Sequence, residues 1–287
     1  MFGFVKGIIP RPEKPLVSDG PNAQRPATST MKTNCCFAFA MIVSANLFAQ
    51  AGANQGTGTA PTNAVTSPPP TPLSKAALER IEKMTPLFDG KTLNGWNASV
   101  KGTNTVDAAQ HWTVKDGAMV SLGAGRGALQ TEKEFRNYRL VFKMRHVSGQ
   151  PDHQACVLIF CTAPENGIAL DALGGIQFQP PNGGSWDYRP GKNNNGKGLF
   201  TRLPHPKFDA HEWSQVELLV NADMGTARMA VAQPVGTRAY EVLNFNDATA
   251  GKRGPIAWQM HNKGLFDEYK DVRIEIEPKE NNLITVE

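Results

Sequence analysis

At 287 residues, with 40% hydrophobic and 20% charged residues, 27 Gly and 21 Pro, the chain has the composition of a turn-rich globular protein and not of a fibre or a membrane bundle. Length alone leaves one large or two small domains open. The formal net charge of +4 is concentrated at the start: Lys6, Arg11, Lys14, Arg25 and Lys32 against Glu13 and Asp19 leave +1 for the rest, with no dense Lys/Arg run, which excludes nucleic acid as a partner.

Residues 1–30 contain PRPEKP and GPNAQRP and show no hydrophobic periodicity. From Met31 the chain reads MKTNCCFAFAMIVSANLFAQA, in which Lys32 precedes an apolar run from Cys35 to Phe48 and the small-residue pattern Ala49-Gln50-Ala51 follows. This is the layout of a signal peptide over 31–51. The run is too short to cross a bilayer, which takes ~20 residues. A signal ordinarily opens a chain, so Met31 is read as the start and 1–30 as a misassigned or disordered extension. The expected location is secreted or periplasmic, with no transmembrane segment after cleavage. Residues 52–72, GANQGTGTAPTNAVTSPPPTP, cannot bury enough surface to offset their ordering entropy and read as a disordered linker. Ser74 to Met84, SKAALERIEKM, has helix formers, Ser74 at the N-cap position and Leu78 with Ile81 on one side, which predicts a short helix within 73–85.

After Pro86 the period changes from helical to alternating. In RLVFKMR, Leu140, Phe142 and Met144 face one way and Arg139, Val141, Lys143 and Arg145 the other, a half-buried strand. Val216, Leu218 and Val220 repeat the pattern, Asn221 to Gly225 reads as a turn, and Thr226 to Ala232 returns as a hairpin partner. Val272, Ile274 and Ile276 alternate near the end, while CVLIF and PIAWQM are continuously apolar, as strands covered on both sides are. No long helical period follows residue 84 and no internal repeat is visible. The fold class is therefore all-β: a two-sheet antiparallel β-sandwich over 86–279, with 280–287 as a tail. Cys35 and Cys36 leave with the signal. Cys156 and Cys161, five apart in one strand, would fall on opposite faces about 17 Å apart and cannot bridge.

None of GxSxG, HExxH, GxxxxGK[ST] or a helix-opening GxGxxG is present. GAGRG at 123–127 lies between strands and reads as a hairpin turn, because phosphate cradling needs a helix N-terminus behind it. Three stretches place polar groups where strands could aim them into one cleft. In 174–198, Gln177 and Gln179 share a strand face, and Asp187, Tyr188 and Arg189 follow in a Gly/Pro-rich loop. Trp186 and Tyr188 would offer flat faces for a sugar ring beside amide and carboxylate groups, although an ordinary surface loop has the same composition. In 255–264, Trp258 and Met260 facing the core would put Gln259 and His261 on the opposite, open face, where His261 is a candidate general base. In 146–155, His146, Asp152 and His153 invite a metal-site reading, against the simpler one of a solvated loop.

PLFDGKTLNGW at 86–96, WTVKDGAMV at 112–120 and GPIAWQMHNKGLFDEYKDVRIE at 254–275 together resemble the 3-keto-disaccharide hydrolase domain family, a concanavalin-like jelly-roll group, over 86–277. The resemblance implies an exported hydrolase or lyase acting on 3-keto-glycosides, in which the C3 ketone acidifies the C2 proton and the C1 substituent leaves by elimination or hydrolysis. His261 matches the histidine of the family's late LQ-x-H motif and is implied as the acid/base. Gln177 matches the glutamine of its E-x-Q-x-x-D strand and would orient a hydroxyl. Gly175 and Pro180 stand where that strand carries carboxylates, and Asp187 or Glu268 could replace them. The expected site is thus His261 and Asp187 for catalysis, with Gln177, Gln179, Trp186, Tyr188, Arg189 and Gln259 for a carbohydrate ligand. No cofactor follows from the motifs, and a divalent cation is the one candidate. The alternative is a non-catalytic carbohydrate-binding or envelope-associated jelly-roll module.

Overall fold

The alternating stretches form strands, and their parity decides which side chains enter the core. The structure, a computed structural model, describes residues 69–100, 108–150, 156–163 and 171–287; the extension, the signal, most of the linker, and Asp152 and His153 lie outside the described residues. In chain order the elements are α1 (Lys75–Lys83), β1 (Thr85–Pro86), β2 (Trp96–Val100), β3 (Trp112–Lys115), β4 (Ala118–Ser121), β5 (Gly127–Thr131), β6 (Asn137–Ser148) and β7 (Cys156–Ile159). There follow β8 (Ile176–Gln179), β9 (Gly184–Asp187), β10 (Phe200–Arg202), β11 (Ser214–Asn221), β12 (Thr226–Ala232), β13 (Tyr240–Asn246), β14 (Ala257–Met260) and β15 (Phe266–Ile276).

These strands make two antiparallel sheets. One runs β10-β13-β12-β11-β6-β15-β4-β3, with β1 beside β15; the other runs β2-β5-β14-β7-β8-β9. The inward residues of both form one core, in which Leu140, Phe142 and Met144 of β6 and Val216, Leu218 and Val220 of β11 meet Trp96, Leu129, Val157, Ile176 and Trp258 of the opposite sheet. Trp258 is the hinge of this contact: its ring stacks on Tyr269 at 4.6 Å and 8° and lies 4.9 Å from Phe142. Each such large side chain, fully buried, stabilises the fold by about 1.5–3 kcal/mol.

Several expectations need correction. Ser74 does cap α1, accepting a hydrogen bond from the Ala77 amide at 3.2 Å, but the helix buries Ala77 and leaves Leu78 exposed, since the flanking Leu73 and Met84 already supply the apolar anchor. Ile276 is exposed because it closes β15 just before the chain turns at Glu277, at φ 48°. Cys156 and Cys161 do not share one strand: β7 ends at Ile159, and Phe160, at φ 51°, turns into the core. Cys161 therefore packs with Leu158 on the outer side, the same side as Cys156, and both thiols are free and buried.

The largest correction concerns the two ends of the outer face of the nine-stranded sheet. Residues 280–287 are no loose tail: Leu283, Ile284 and Thr285 are buried, with Leu283 packed on Leu219, Ala230, Ala232 and Ala239. Glu217 accepts hydrogen bonds from the Ile284 and Thr285 amides at 3.1 and 2.8 Å and from the Thr285 hydroxyl at 2.6 Å. Arg139, expected at the surface, is fully buried between Glu217 at 3.4 Å and Glu275 at 3.3 Å and donates to the Asn282 carbonyl at 3.0 Å. A charged strand face that looks solvent-directed is closed by a strap of the chain's own C-terminal residues.

Candidate functional site

Parity assigns Trp258 and Met260 of β14 to the core and Ala257 and Gln259 to the outer side of the six-stranded sheet. The register then defines which residues share that outer face: Gln259 pairs with Ala128 of β5 and Cys156 of β7, Leu158 with Gln177 of β8, and Gln177 with Trp186 of β9. Over the small Cys156 the glutamines of β14 and β8 meet. Gln177 Nε2 donates to Gln259 Oε1, and Gln179 Nε2 donates to Gln177 Oε1 at 2.7 Å, a row of three amides crossing three strands. Gln177 and Gln259 are buried, whereas Gln179 is partly exposed. The face is thus not open along its whole length, as the sequence suggested, but only at the end of the row.

Trp186 and Tyr188 border the same row. Their ring centres are 6.1 Å apart at 41°, and the Trp186 indole donates to Asn193 Oδ1 at 3.1 Å. Tyr188 packs against the cluster of Ala128, Leu158, Cys161, Leu173 and Ala257; burial raises its pKa, an effect that the nearby Gln259 amide partly offsets. His261, partly exposed, follows the last residue of β14. The structure therefore brings together Gln177, Gln179, Gln259, Trp186 and Tyr188, while His261 is joined to them only through the chain, two residues beyond Gln259.

It does not bring Asp187 there. Residues 184–187 form strand β9, and Asp187, opposite Ile176, points to the core side. Its carboxylate is fully buried against Arg189, at 3.0 Å from Nε and 2.8 Å from Nη2, and the same guanidinium holds Asp247 at 2.7 Å. Arg189 is thereby committed too, and its pKa is raised, first by the Asp187 bond. The pair ties the edge strand to the 247–249 turn. Glu268 lies on the outer side of the other sheet, bound to Arg145 at 2.6 Å. Gly175 has no room for a side chain: a Cβ there would stand 2.8 Å from Cys161 Sγ and 2.9 Å from the Ile159 carbonyl.

His146 is no solvated loop residue. Its Nδ1 lies 2.8 Å from Asp267 Oδ1, a buried contact, and its Nε2 3.1 Å from the partly buried Gly149 carbonyl. Burial pushes the Asp267 carboxyl up to about 7, with His146 opposing the shift. Gly149, at φ 110°, passes so close to the Gly264 carbonyl that a Cβ would collide with it, which locks the end of β6 to the loop after His261. Among the described residues no three His, Cys, Asp or Glu side chains form a cluster able to hold a metal ion. No described helix is long and apolar enough to cross a membrane.

Two residues of this face escaped the sequence reading. Gly127 pairs with Met260 as the last pair of the β5/β14 ladder, and Arg126 and His261 are the residues that follow it on the two chains. Arg126 Nε donates to Asp171 Oδ2, whose side chain is only 8% exposed against 42% for the arginine. The GAGRG turn hid Arg126 because its place depends on a pairing between distant strands. Asp171 lies in an irregular segment with no periodic signal.

The family model of the 3-keto-alpha-glucoside-1,2-lyase-like domain matches residues 83–275. No protein with a curated description matches the chain. Among solved structures, a Parabacteroides distasonis protein assigned to the glycosyl hydrolases is similar at 17% identity and TM-score 0.50, over 72% of this chain and 98% of its own. A carbohydrate-binding module, CBM66 of Bacillus subtilis, is similar at 12% identity and TM-score 0.43, over 67% and 97%. At these identities the likeness is one of fold: the two sheets form a jelly-roll sandwich.

Proposed function

Because the chain belongs to the 3-keto-alpha-glucoside-1,2-lyase-like domain family, we propose that it acts on 3-keto-glycosides outside the cytoplasm, removing the C2 proton and releasing the C1 substituent. The observation that carries this reading is the convergence, on one outer face, of the glutamine row, ending at the partly exposed Gln179, and the Trp186/Tyr188 ring pair, with His261 two residues beyond Gln259. A sugar ring stacks on the aromatic pair, and Gln179 offers an amide that can both donate to and accept from hydroxyls. Gln177 and Gln259, buried beneath, hold Gln179 in place.

In the proposed reaction His261 takes the C2 proton, the electron pair moves toward C3 as an enolate, and its return expels the C1 oxygen, leaving a C1–C2 double bond and the C3 ketone. The proton on His261 passes to the departing oxygen, and water adds at C1 where hydrolysis completes the sequence. A divalent cation, if one is used, has no preformed cage among the described residues, and no step above depends on it.

One feature favours a second reading, a carbohydrate-binding module without turnover. The row carries amides only, and Gly175, filled over by Cys161, leaves no place for a carboxylate at that point of the strand. Incubating the purified protein with a 4-nitrophenyl 3-keto-glucoside, with and without divalent cations, separates the two. Aglycone release that disappears in His261→Ala supports the enzyme. Binding without release under every metal condition supports the module, and full activity in His261→Ala removes His261 from the chemistry.

A further inference from the structure

The elimination needs a group that receives negative charge at the C3 oxygen, and the residues matched to the family supply none. We propose that Arg126 is that group: it is the oxyanion-binding residue of the site, with Asp171 setting its orientation. This rests on the reading of the chain as a 3-keto-glycoside enzyme.

Three observations place it there. Arg126 and His261 are the next residues beyond Gly127 and Met260, the last pair of the β5/β14 ladder, and continuing the alternation that turns Ala128 and Gln259 outward assigns both to the outer side of the sheet. Its Nε is held by the nearly buried Asp171, which fixes the plane of the guanidinium. Only Nε is so engaged: among the described residues both η-nitrogens lack a hydrogen-bond partner, and the side chain is 42% exposed. A charged fork held at its base and unfilled at its tip fits a developing oxyanion bidentately, and such a donor acts most strongly where it is already oriented before the charge appears. Arg189, the other arginine of this region, spends its nitrogens on Asp187 and Asp247.

The step balances without a co-reactant. The C2–H bond breaks with its proton on His261, its electrons form the C2–C3 double bond, and the carbonyl pair moves onto O3, where Arg126 donates two hydrogen bonds. On collapse the pair returns, the C1–O bond breaks, and the departing oxygen takes the proton from His261.

Enolate formation can be read apart from bond cleavage with 1,5-anhydro-3-keto-glucitol, a 3-keto sugar with no leaving group at C1. In D2O the wild-type protein is expected to exchange its C2 hydrogen, followed by NMR. Arg126→Met is expected to slow both this exchange and aglycone release by about 10²–10³-fold with KM unchanged. Guanidinium ion added to Arg126→Ala is expected to restore part of the exchange, which a purely structural role would not permit. Asp171→Asn keeps the charge of Arg126 but loosens its plane, and should give an intermediate loss. Exchange at the wild-type rate in Arg126→Met, or a loss that guanidinium leaves untouched, overturns the assignment of Arg126 while the family reading stands. Absence of exchange in the wild type overturns both.

Discussion

The two outer faces of the sandwich both carry charged and amide side chains, and they use them in opposite ways. On the nine-stranded sheet the central charged groups are consumed by one another: Arg139 lies between Glu217 and Glu275, Glu217 receives three donors from the C-terminal strap, and Arg80 of the helix binds Glu275 at 3.2 Å. On the six-stranded sheet the groups form a chain that ends unsaturated, in the exposed amide of Gln179 and the fork of Arg126. Polar residues whose partners are all internal hold a fold together. Polar residues prearranged by buried partners and left with open donors at the surface are poised for a ligand.

The contrast can be broken most forcefully on the closed face. Deleting residues 281–287 removes Leu283 and Ile284 from their apolar contacts and uncovers Glu217, and is expected to lower stability by more than about 4 kcal/mol, seen as a fall in the urea midpoint. Glu217→Ala alone should cost about 3–5 kcal/mol, because it strands a buried arginine. An unchanged midpoint in either variant would mean that the strap is not structural.

Asp187→Asn tests the boundary between the faces. With its carboxylate turned inward against Arg189, the substitution should lower stability by about 1–3 kcal/mol and leave the rate of aglycone release as it was. A folded variant that lost turnover would return Asp187 to the chemistry.

A dependence on pH is expected from Asp267. Its folded pKa of about 7 exceeds the unfolded value near 3.9, so the folded state keeps a proton that the unfolded chain releases. The stability this group contributes is therefore fully present below about pH 4 and declines as pH rises toward 7. Asp267→Asn should flatten that slope in urea titrations run across this pH range. A wild-type curve already flat over the range would show that the His146 pairing cancels the cost of burial.

The strands that carry the core were legible because alternation is local: β6, β11 and β12 follow the pattern of Leu140/Phe142/Met144 and Val216/Leu218/Val220 residue by residue, and Ser74 marks the helix start by its own hydrogen bond. Gln177 and Gln179 were assigned one strand face, and Gln259 the face opposite Trp258 and Met260, for the same reason; that the two faces are one is set by the pairing of β14, β7 and β8. Asp187 was misplaced because the Gly183-Gly184 stretch concealed a strand, and one position within a strand decides between core and surface. Arg126 and the 280–287 strap were invisible for a different reason. Each acquires its role from a partner far along the chain, and no local period records such a pairing.

The central claim is that the sugar meets the six-stranded face and not the other. Each face has an indole to report on it: Trp186 beside the glutamine row, and Trp213, whose ring lies 4.8 Å from the Arg145 guanidinium and 3.9 Å from the Lys270 ammonium on the opposite sheet. Titrating the nitrogen-15-labelled protein with a methyl 3-keto-glucoside should shift the Trp186 indole resonance to saturation and leave that of Trp213 in place. A saturable shift at Trp213 with Trp186 unmoved would contradict the account.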